Sequence, residues 1–212
     1  MVTSYGYSTI IKVLLVCMLC IGAALLLPPS AKIVLFFTAC SIITFTLFFF
    51  RDPERKVPEE KRIILAPADG KIVLVQKQED HSTGQSSILV SIFMSPFNVH
   101  VNRIPLSGTV THLRYQPGQF LMAFDHRSME SNEKMEIGID NGEIRMLFSQ
   151  ISGFLARRIV CTLHDGEKVK AGSRFGMIKF GSRVDITLPS SAKTTVHVGQ
   201  ITRAGQTIIA RY

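Results

Sequence analysis

The sequence predicts a mainly β, α+β fold, in which an N-terminal transmembrane helical hairpin precedes a β-rich domain of curled sheets or half-barrels with lipoyl-like turns. The first observation is the charge distribution: residues 1–50 hold none of the 16 acidic and two of the 24 basic residues, Lys12 and Lys32. The second is a series of short β-branched segments after residue 60. The third is a pair of Asp-Gly turns ahead of β-forming sequence.

Two apolar runs make up the N-terminal segment. Residues 9–27 and 31–50 contain one charge each, close to the start of the run. At about 1.5 Å per residue, a helix over either run nearly reaches the ~30 Å of a bilayer core, and Pro28, Pro29 and Ser30 separate the two. The alternatives are a cleaved signal peptide and a buried helical hairpin, and the second long run argues against the signal peptide.

Positive charge predicts the orientation of this hairpin. The basic residues just after the second run are Arg51, Arg55, Lys56, Lys61 and Arg62. The turn between the runs offers only Lys32, so both chain ends are predicted on the cytoplasmic face of the cell membrane. Residues 51–60 form a charged linker, and residues 61–212 the β-rich domain.

Residues 51–212 carry a net charge of +6. For a membrane-tethered domain, the nearest partner of that charge is an anionic lipid surface. No stretch interleaves basic and aromatic residues, so no nucleic-acid partner is predicted.

The cysteines predict neither a metal site nor a disulfide framework. Cys17, Cys20 and Cys40 fall in the apolar runs, where they act as small hydrophobic residues. Cys161 stands alone in the polar part, and no Cys/His spacing matches a metal site.

Six segments predict strands, and turn residues separate them. They are Gly70–Gln76, Ser87–Phe93, Lys134–Ile139, Glu143–Phe148, Arg183–Leu188 and Thr194–Val198. Asp140-Asn141-Gly142 predicts a hairpin turn, residues 151–163 fit a strand or a helix, and residues 170–176 are rich in turn residues. In the Asp69-Gly70 and Asp165-Gly166 turns, glycine can supply the positive φ that such turns often need, although such turns occur in any β protein.

Gly181 and Ser182 form the most informative dipeptide, just before the predicted strand Arg183–Leu188. Glycine crowds its carbonyl least, and the serine hydroxyl can attack that carbonyl and exchange the amide for an ester. β-Elimination then leaves a dehydroalanine, which hydrolyses to a pyruvoyl group. A Gly-Ser pair taken alone is more often only a turn.

A second polar segment follows the predicted strand Ser87–Phe93. It contains His100, which can move protons near neutral pH, and Arg103, which can hold a phosphate or carboxylate. Taken alone, such a segment is more often a surface loop with incidental polar residues. Asp69 either caps its turn or orients His100 as the third member of a nucleophile, base and orienter set.

Taken together, these segments resemble the phosphatidylserine decarboxylase family, in its short, archaeal-type branch. The resemblance is carried by Ala66–Val73, Phe93–Pro105, Gly153–Val160 and above all Arg174–Asp185, in the family's order. It spans about residues 60–210, and the N-terminal hairpin also suits this branch.

The resemblance implies a proenzyme that cuts itself between Gly181 and Ser182. Residues 1–181 would become a membrane-bound β chain, and residues 182–212 an α chain that begins with a pyruvoyl group made from Ser182. That group would form a Schiff base with phosphatidylserine, which loses CO2 and gives phosphatidylethanolamine. The implied partners are this substrate, membrane lipids and the enzyme's own two chains, as a heterodimer or a higher oligomer.

One position departs from the family pattern. Longer members carry two histidines three residues apart in this segment and assign the second to self-cleavage, with an Asp and the Ser. Here the first is His100, Arg103 stands at the second, and the Asp corresponds to Asp69. Whether His100 serves cleavage, decarboxylation or both stays open.

Three further residues are candidates for substrate binding. Arg103 is a candidate to hold the lipid phosphate or the substrate carboxylate. Ser95 and Phe97, from the same segment, are the other two.

Two other hypotheses stay open at this point. One is a membrane-anchored biotinyl- or lipoyl-like binding module or adaptor, in which a hairpin presents Lys179 for modification. The other is a serine hydrolase that uses Ser182, His100 and Asp69, although no nucleophile-elbow pattern surrounds the serine.

Overall fold

The computed structural model describes residues 1–79, 86–118, 132–153, 158–179 and 182–212. The chain divides into two compact units, Met1–Glu54 and Arg55–Tyr212.

The first unit is a pair of helices after a 3-10 turn at Ser4–Gly6. α1 spans Tyr7–Ala24 and α2 spans Pro29–Phe49. Both are long and apolar enough to cross a membrane. α1 ends three residues before the predicted bound, and α2 begins at Pro29 because proline fits the first turn of a helix.

The second unit contains, among the described residues, one large sheet and two small ones. The large antiparallel sheet has the strand order β13 (Ile201–Thr202), β2 (Gly70–Glu79), β3 (Ser86–Met94), β11 (Ser182–Pro189), β7 (Arg145–Ser152), β6 (Lys134–Asp140), β5 (Gly108–Gln116) and β9 (Lys168–Val169). One small sheet has the order β4 (Val101–Arg103), β10 (Arg174–Lys179) and β8 (Arg158–Cys161). The other has the order β1 (Ile63–Leu65), β14 (Ile208–Arg211) and β12 (Lys193–Thr194). The predicted fold class is confirmed, with the large sheet curled as a half-barrel.

The hydrophobic core forms where the large sheet meets the small ones. Val184 and Ile186 of the central strand β11 are fully buried in it. Phe148 of β7 and Phe175 of β10 meet edge to face, with ring centroids 5.5 Å apart. This contact packs the β4-β10-β8 sheet against the large one, and Asn102 of β4 is hydrogen-bonded to Gln150 of β7.

Some predicted bounds were wrong, and one strand begins in a segment that was predicted to be rich in turns. The strand predicted over Thr194–Val198 ends at Thr194, because the chain turns at His197, whose N–H bonds to the Gln200 side chain. The supposedly turn-rich residues 170–176 include the start of β10. That strand contains Gly176, where a Cβ would come within 2.1 Å of the Val160 carbonyl oxygen.

The two Asp-Gly turns require glycine for different reasons, one for its backbone conformation and the other for close packing. Gly166 has φ +76°, as predicted. Gly70 does not have a positive φ. Its requirement is close approach, since a Cβ on Gly70 would lie 2.2 Å from the Phe93 carbonyl oxygen.

Candidate active site

Ser182 is the first residue of β11 and is fully buried. It lies directly opposite Met94 of β3 on one side and Ser152 of β7 on the other. Its hydroxyl donates to the Met94 sulfur at 3.2 Å. A thioether is a weak acceptor and cannot take the proton, so this contact leaves the hydroxyl able to react. Gly181 lies outside the described residues.

Two fully buried amides continue from this contact. The Asn102 Nδ2 group lies 3.9 Å from the Met94 sulfur and 3.4 Å from the Pro67 carbonyl oxygen. Gln150 Nε2 donates to Asn102 Oδ1 at 2.9 Å. Ser182 is therefore the end of a buried polar chain that runs through Met94 and Asn102 to Gln150.

The main chain holds Ser152 firmly in place. Its N–H donates to the Glu133 carbonyl oxygen at 2.9 Å, and its carbonyl accepts from Asn132 Nδ2 at 2.8 Å. Tyr115 donates to the Glu133 carboxylate, and this bond raises the pKa of Tyr115. The strand end opposite Ser182 is thus fixed from its outer side.

His100 is fully buried just before β4. Its Nδ1 lies 3.0 Å from the Asn98 carbonyl oxygen. Because a carbonyl oxygen only accepts, Nδ1 carries the hydrogen in the neutral imidazole, and Nε2 is the nitrogen that can take up a proton.

The loop before His100 contains two of the predicted binding residues. Asn98 Oδ1 accepts from the Ser95 N–H at 2.8 Å and from the Ser95 hydroxyl at 2.9 Å. The Asn98 N–H also donates to the Ser95 carbonyl oxygen at 3.0 Å, which closes a β-turn, and the Phe97 side chain in that turn is 69% exposed. Ser95 therefore has a clear role in shaping the loop, and Phe97 offers an apolar surface.

Asp69 forms a buried ion pair that sequence analysis did not foresee. Arg55 donates to both of its carboxylate oxygens, at 2.7 and 2.8 Å, and the Ala204 N–H donates to Oδ1 at 2.8 Å. The two side chains are only 7% and 12% exposed. Arg55, predicted to be a linker residue, is thus tied to the β-rich unit.

Arg103 is also buried, in β4. Its guanidinium donates to the Gly172 carbonyl oxygen at 2.9 Å, and its backbone N–H to the Pro67 carbonyl oxygen.

A second buried ion pair lies next to Ser182 in sequence. Arg183 is 1% exposed and donates to Asp185 Oδ1 and to the Ser91 hydroxyl, each at 2.5 Å. Burial raises the pKa of Asp185, and the Arg183 guanidinium opposes that rise. Because Arg183 and Ser182 are adjacent in a strand, the pair lies on the opposite face from the Ser182 side chain.

The structure brings Ser182 together with Met94, Asn102, Gln150 and Ser152, none of which sequence analysis singled out for chemistry. The hydrogen bonds described above do not join Asp69 to His100, or either to Ser182. Their action as one set therefore stays a prediction.

Lys179 and Cys161, two other residues considered in the sequence analysis, lie in strands of the small β4-β10-β8 sheet. Lys179 ends β10 and pairs with Arg158 of β8. Burial raises the pKa of the Cys161 thiol, which disfavours the reactive thiolate. Within the described ranges, no three His, Cys, Asp or Glu side chains cluster as metal ligands would.

Comparison with known proteins covers almost the whole chain. The family model described as phosphatidylserine decarboxylase matches residues 42–210. The protein named phosphatidylserine decarboxylase proenzyme from Pelodictyon phaeoclathratiforme is 68% identical over 212 residues, all of both chains. The proteins of that name from Chlorobium phaeobacteroides, 61% identical over all of both chains, and Chlorobaculum tepidum, 53% identical over 99% of this chain and 97% of that one, are also similar. The chain therefore belongs to the phosphatidylserine decarboxylase family, whose members are carboxy-lyases.

Proposed function

We propose that this chain is a phosphatidylserine decarboxylase proenzyme, which cuts itself between Gly181 and Ser182 and then converts phosphatidylserine to phosphatidylethanolamine and CO2. The observation that carries the proposal is the place of Ser182. It is a fully buried serine at the first position of the central strand β11, with its hydroxyl against a thioether. Family membership favours this function over the lipoyl-like module and the serine hydrolase.

The cleavage needs only atoms of the chain and one water. Ser182 Oγ gives up its proton and attacks the Gly181 carbonyl carbon, and the bond from that carbon to the Ser182 nitrogen breaks, leaving an ester and a free amine. Loss of the Ser182 Cα proton then expels the Gly181 carboxylate from Cβ. The remaining dehydroalanine tautomerises to an imine, and water releases ammonia to leave a pyruvoyl group.

The chain's own groups supply the proton transfers. His100 Nε2 is the proposed base, since Nδ1 already donates to Asn98. Asp69 is the proposed orienting carboxylate, and Arg55 holds it in position through two charge-assisted hydrogen bonds.

The surroundings of Ser182 fit the pyruvoyl group. It keeps the Cα and Cβ positions of the serine, and the side chains opposite, Met94 and Ser152, are uncharged and buried. When present, the group supplies a ketone that condenses with the substrate amine and withdraws the electrons left behind as CO2 departs. His100 Nε2 is the proposed group that returns a proton to the substrate carbon.

The remaining predicted residues are proposed to receive the lipid. Arg103 would hold its phosphate or carboxylate, Ser95 would shape the loop, and Phe97 would meet the acyl region. The two helices would anchor the domain on the cytoplasmic face of the cell membrane. Residues 1–181 and 182–212 would stay together as the heterodimer.

Intact mass spectrometry of the purified protein tests the proposal. The expected result is two species, residues 1–181 and a peptide 182–212 whose first residue is blocked by a pyruvoyl group. Borohydride in the presence of phosphatidylserine should attach the lipid covalently to residue 182. An uncut 23.6 kDa chain with unmodified Ser182 in active membranes would contradict it.

His100→Ala is expected to lower decarboxylation by about 100-fold or more, the usual contribution of a general acid–base group. The reaction is measured as phosphatidylethanolamine formed, and cleavage is followed on a denaturing gel, which separates the two candidate roles of the imidazole. His164→Ala is the control, because the His164 side chain is 86% exposed. Full activity of His100→Ala would remove His100 from the site.

A further inference from the structure

Two polar atoms beside Ser182 are buried with their hydrogen-bonding capacity unused. Gln150 and Ser152 lie in β7 and are fully buried. Within the described part of the chain, Gln150 Oε1 and Ser152 Oγ make no hydrogen bond. An unpaired buried polar atom is unfavourable for folding, so two of them next to one residue point to a ligand.

The orientation of the Gln150 amide follows from neighbours that can only accept. The Pro67 carbonyl oxygen can only accept, so the Asn102 atom that faces it is the donor Nδ2. The other amide atom of Asn102, the acceptor Oδ1, therefore faces Gln150. Gln150 Nε2 then donates to Asn102 Oδ1 at 2.9 Å and lies 3.4 Å from the Val160 carbonyl oxygen. Both N–H groups of Gln150 are committed. Its Oε1 can only accept a hydrogen bond, and no described residue donates one to it.

The register places both atoms beside residue 182. Ser152 is directly opposite Ser182, and Gln150 is opposite Val184. Opposite residues of an antiparallel pair have Cβ atoms about 4.5–5.5 Å apart. Gln150 and Ser152 are two residues apart on one face, a separation of roughly 6.6 Å along the strand.

That separation suits an α-amino acid. The amine and the carboxylate of an α-amino acid are attached to one carbon, so two hydrogen bonds of about 3 Å each, one at either end, reach across it. A monofunctional amine or acid would satisfy only one of the two protein atoms. The neutral side chains orient the two charged groups without adding a buried charge of their own.

We propose that Gln150 and Ser152 form the subsite for the amino-acid end of the serine head group, an inference that rests on the proposed function. Gln150 Oε1 accepts an N–H of the substrate amine, and Ser152 Oγ donates to the substrate carboxylate. The amine is thereby held next to residue 182, where it must react.

Ser152→Ala separates this role from a structural one. The change removes a buried hydroxyl that makes no hydrogen bond within the described residues, so the Tm is expected to stay equal or rise, with cleavage complete. The kcat/KM for phosphatidylserine in mixed micelles is expected to fall about 10- to 100-fold, the effect of losing a hydrogen bond to a charged group. Ser149→Ala, on the opposite face of β7, is the matched control and should keep wild-type kinetics.

Two lipids that the enzyme cannot decarboxylate, used as inhibitors, distinguish the Ser152 contact from the Gln150 contact. A lipid with a 3-hydroxypropanoate head group keeps the carboxylate and lacks the amine, whereas phosphatidylethanolamine keeps the amine alone. Ser152→Ala is expected to weaken inhibition by the first lipid and not by the second. Gln150→Met, of similar volume, is expected to do the reverse.

Three results would overturn the inference. One is that the wild type is active and that Ser152→Ala and Gln150→Met have the same kcat/KM as the wild type. Another is loss of self-cleavage in Ser152→Ala, which would place the hydroxyl in maturation. The third is weakened inhibition by both lipids in both variants, the pattern of a general structural defect. Failure of the proposed function is separate, because the wild type and Ser149→Ala would then also release no phosphatidylethanolamine.

Discussion

Ser182→Ala is expected to yield a single uncut chain of 23.6 kDa with no decarboxylase activity. Alanine keeps Cβ and removes the oxygen that attacks the Gly181 carbonyl, so neither the ester nor the later elimination can occur. The fold should survive, because the hydroxyl has only the Met94 sulfur as its described partner. The measurements are intact mass, a denaturing gel and phosphatidylethanolamine formation.

Ser190→Ala is the matched control for this variant. Ser190 is exposed in the turn that follows β11 and should be cut and active like the wild type. Normal processing of Ser182→Ala would show that the cleavage lies elsewhere. An uncut but active Ser182→Ala would remove the pyruvoyl group from the reaction.

Asp69→Asn is expected to destabilise the uncut protein by about 3 kcal/mol, because it leaves the buried Arg55 charge without its counter-ion. For a chain of this length, that corresponds to a Tm lower by roughly 6–12 °C. The comparison is made in the Ser182→Ala background, where one continuous chain unfolds in every variant. With Ser182 present, slower self-cleavage is also expected if Asp69 orients the base.

The double variant Arg55→Met, Asp69→Leu should recover part of that Tm, since an apolar pair carries no unpaired charge. Recovery is incomplete because the Ala204 N–H loses its acceptor. Glu60→Gln is the control, as the Glu60–Arg211 pair is about half exposed and such pairs contribute little. A Tm unchanged by Asp69→Asn would show that the ion pair does not stabilise the fold.

Local patterns predicted the two helices and most of the long strands, but not the nine-residue strand β5. The apolar runs, the β-branched segments such as Ser87–Phe93 and the Asp140–Gly142 turn each depend on neighbouring residues, and all three are present in the structure. Two-residue strands such as β9 and β13 carry no pattern of their own, because pairing with distant strands creates them.

The surroundings of the serine could not be predicted for the same reason. Gln150 and Ser152 are ordinary residues of a strand, and only the register between β7 and β11 places them beside Ser182. Arg55 stood among linker charges, and its bond to Asp69 depends on how the chain enters the β-rich unit. A signal did exist in one case, since Gln150 and Ser152 continue the face of β7 that begins with the apolar residues Met146 and Phe148.

Residues 182–212 supply strands to two of the sheets. β11 pairs on both sides within the large sheet, β13 pairs with β2, and β14 pairs with β1. After a cut before Ser182, the peptide 182–212 would therefore remain hydrogen-bonded to strands of the larger chain in both sheets. Dilution of the folded protein should not separate the two chains. Once both chains have unfolded, however, refolding would require them to associate as two separate molecules. Maturation would thus turn a protein able to refold alone into one whose lifetime is set by its rate of unfolding.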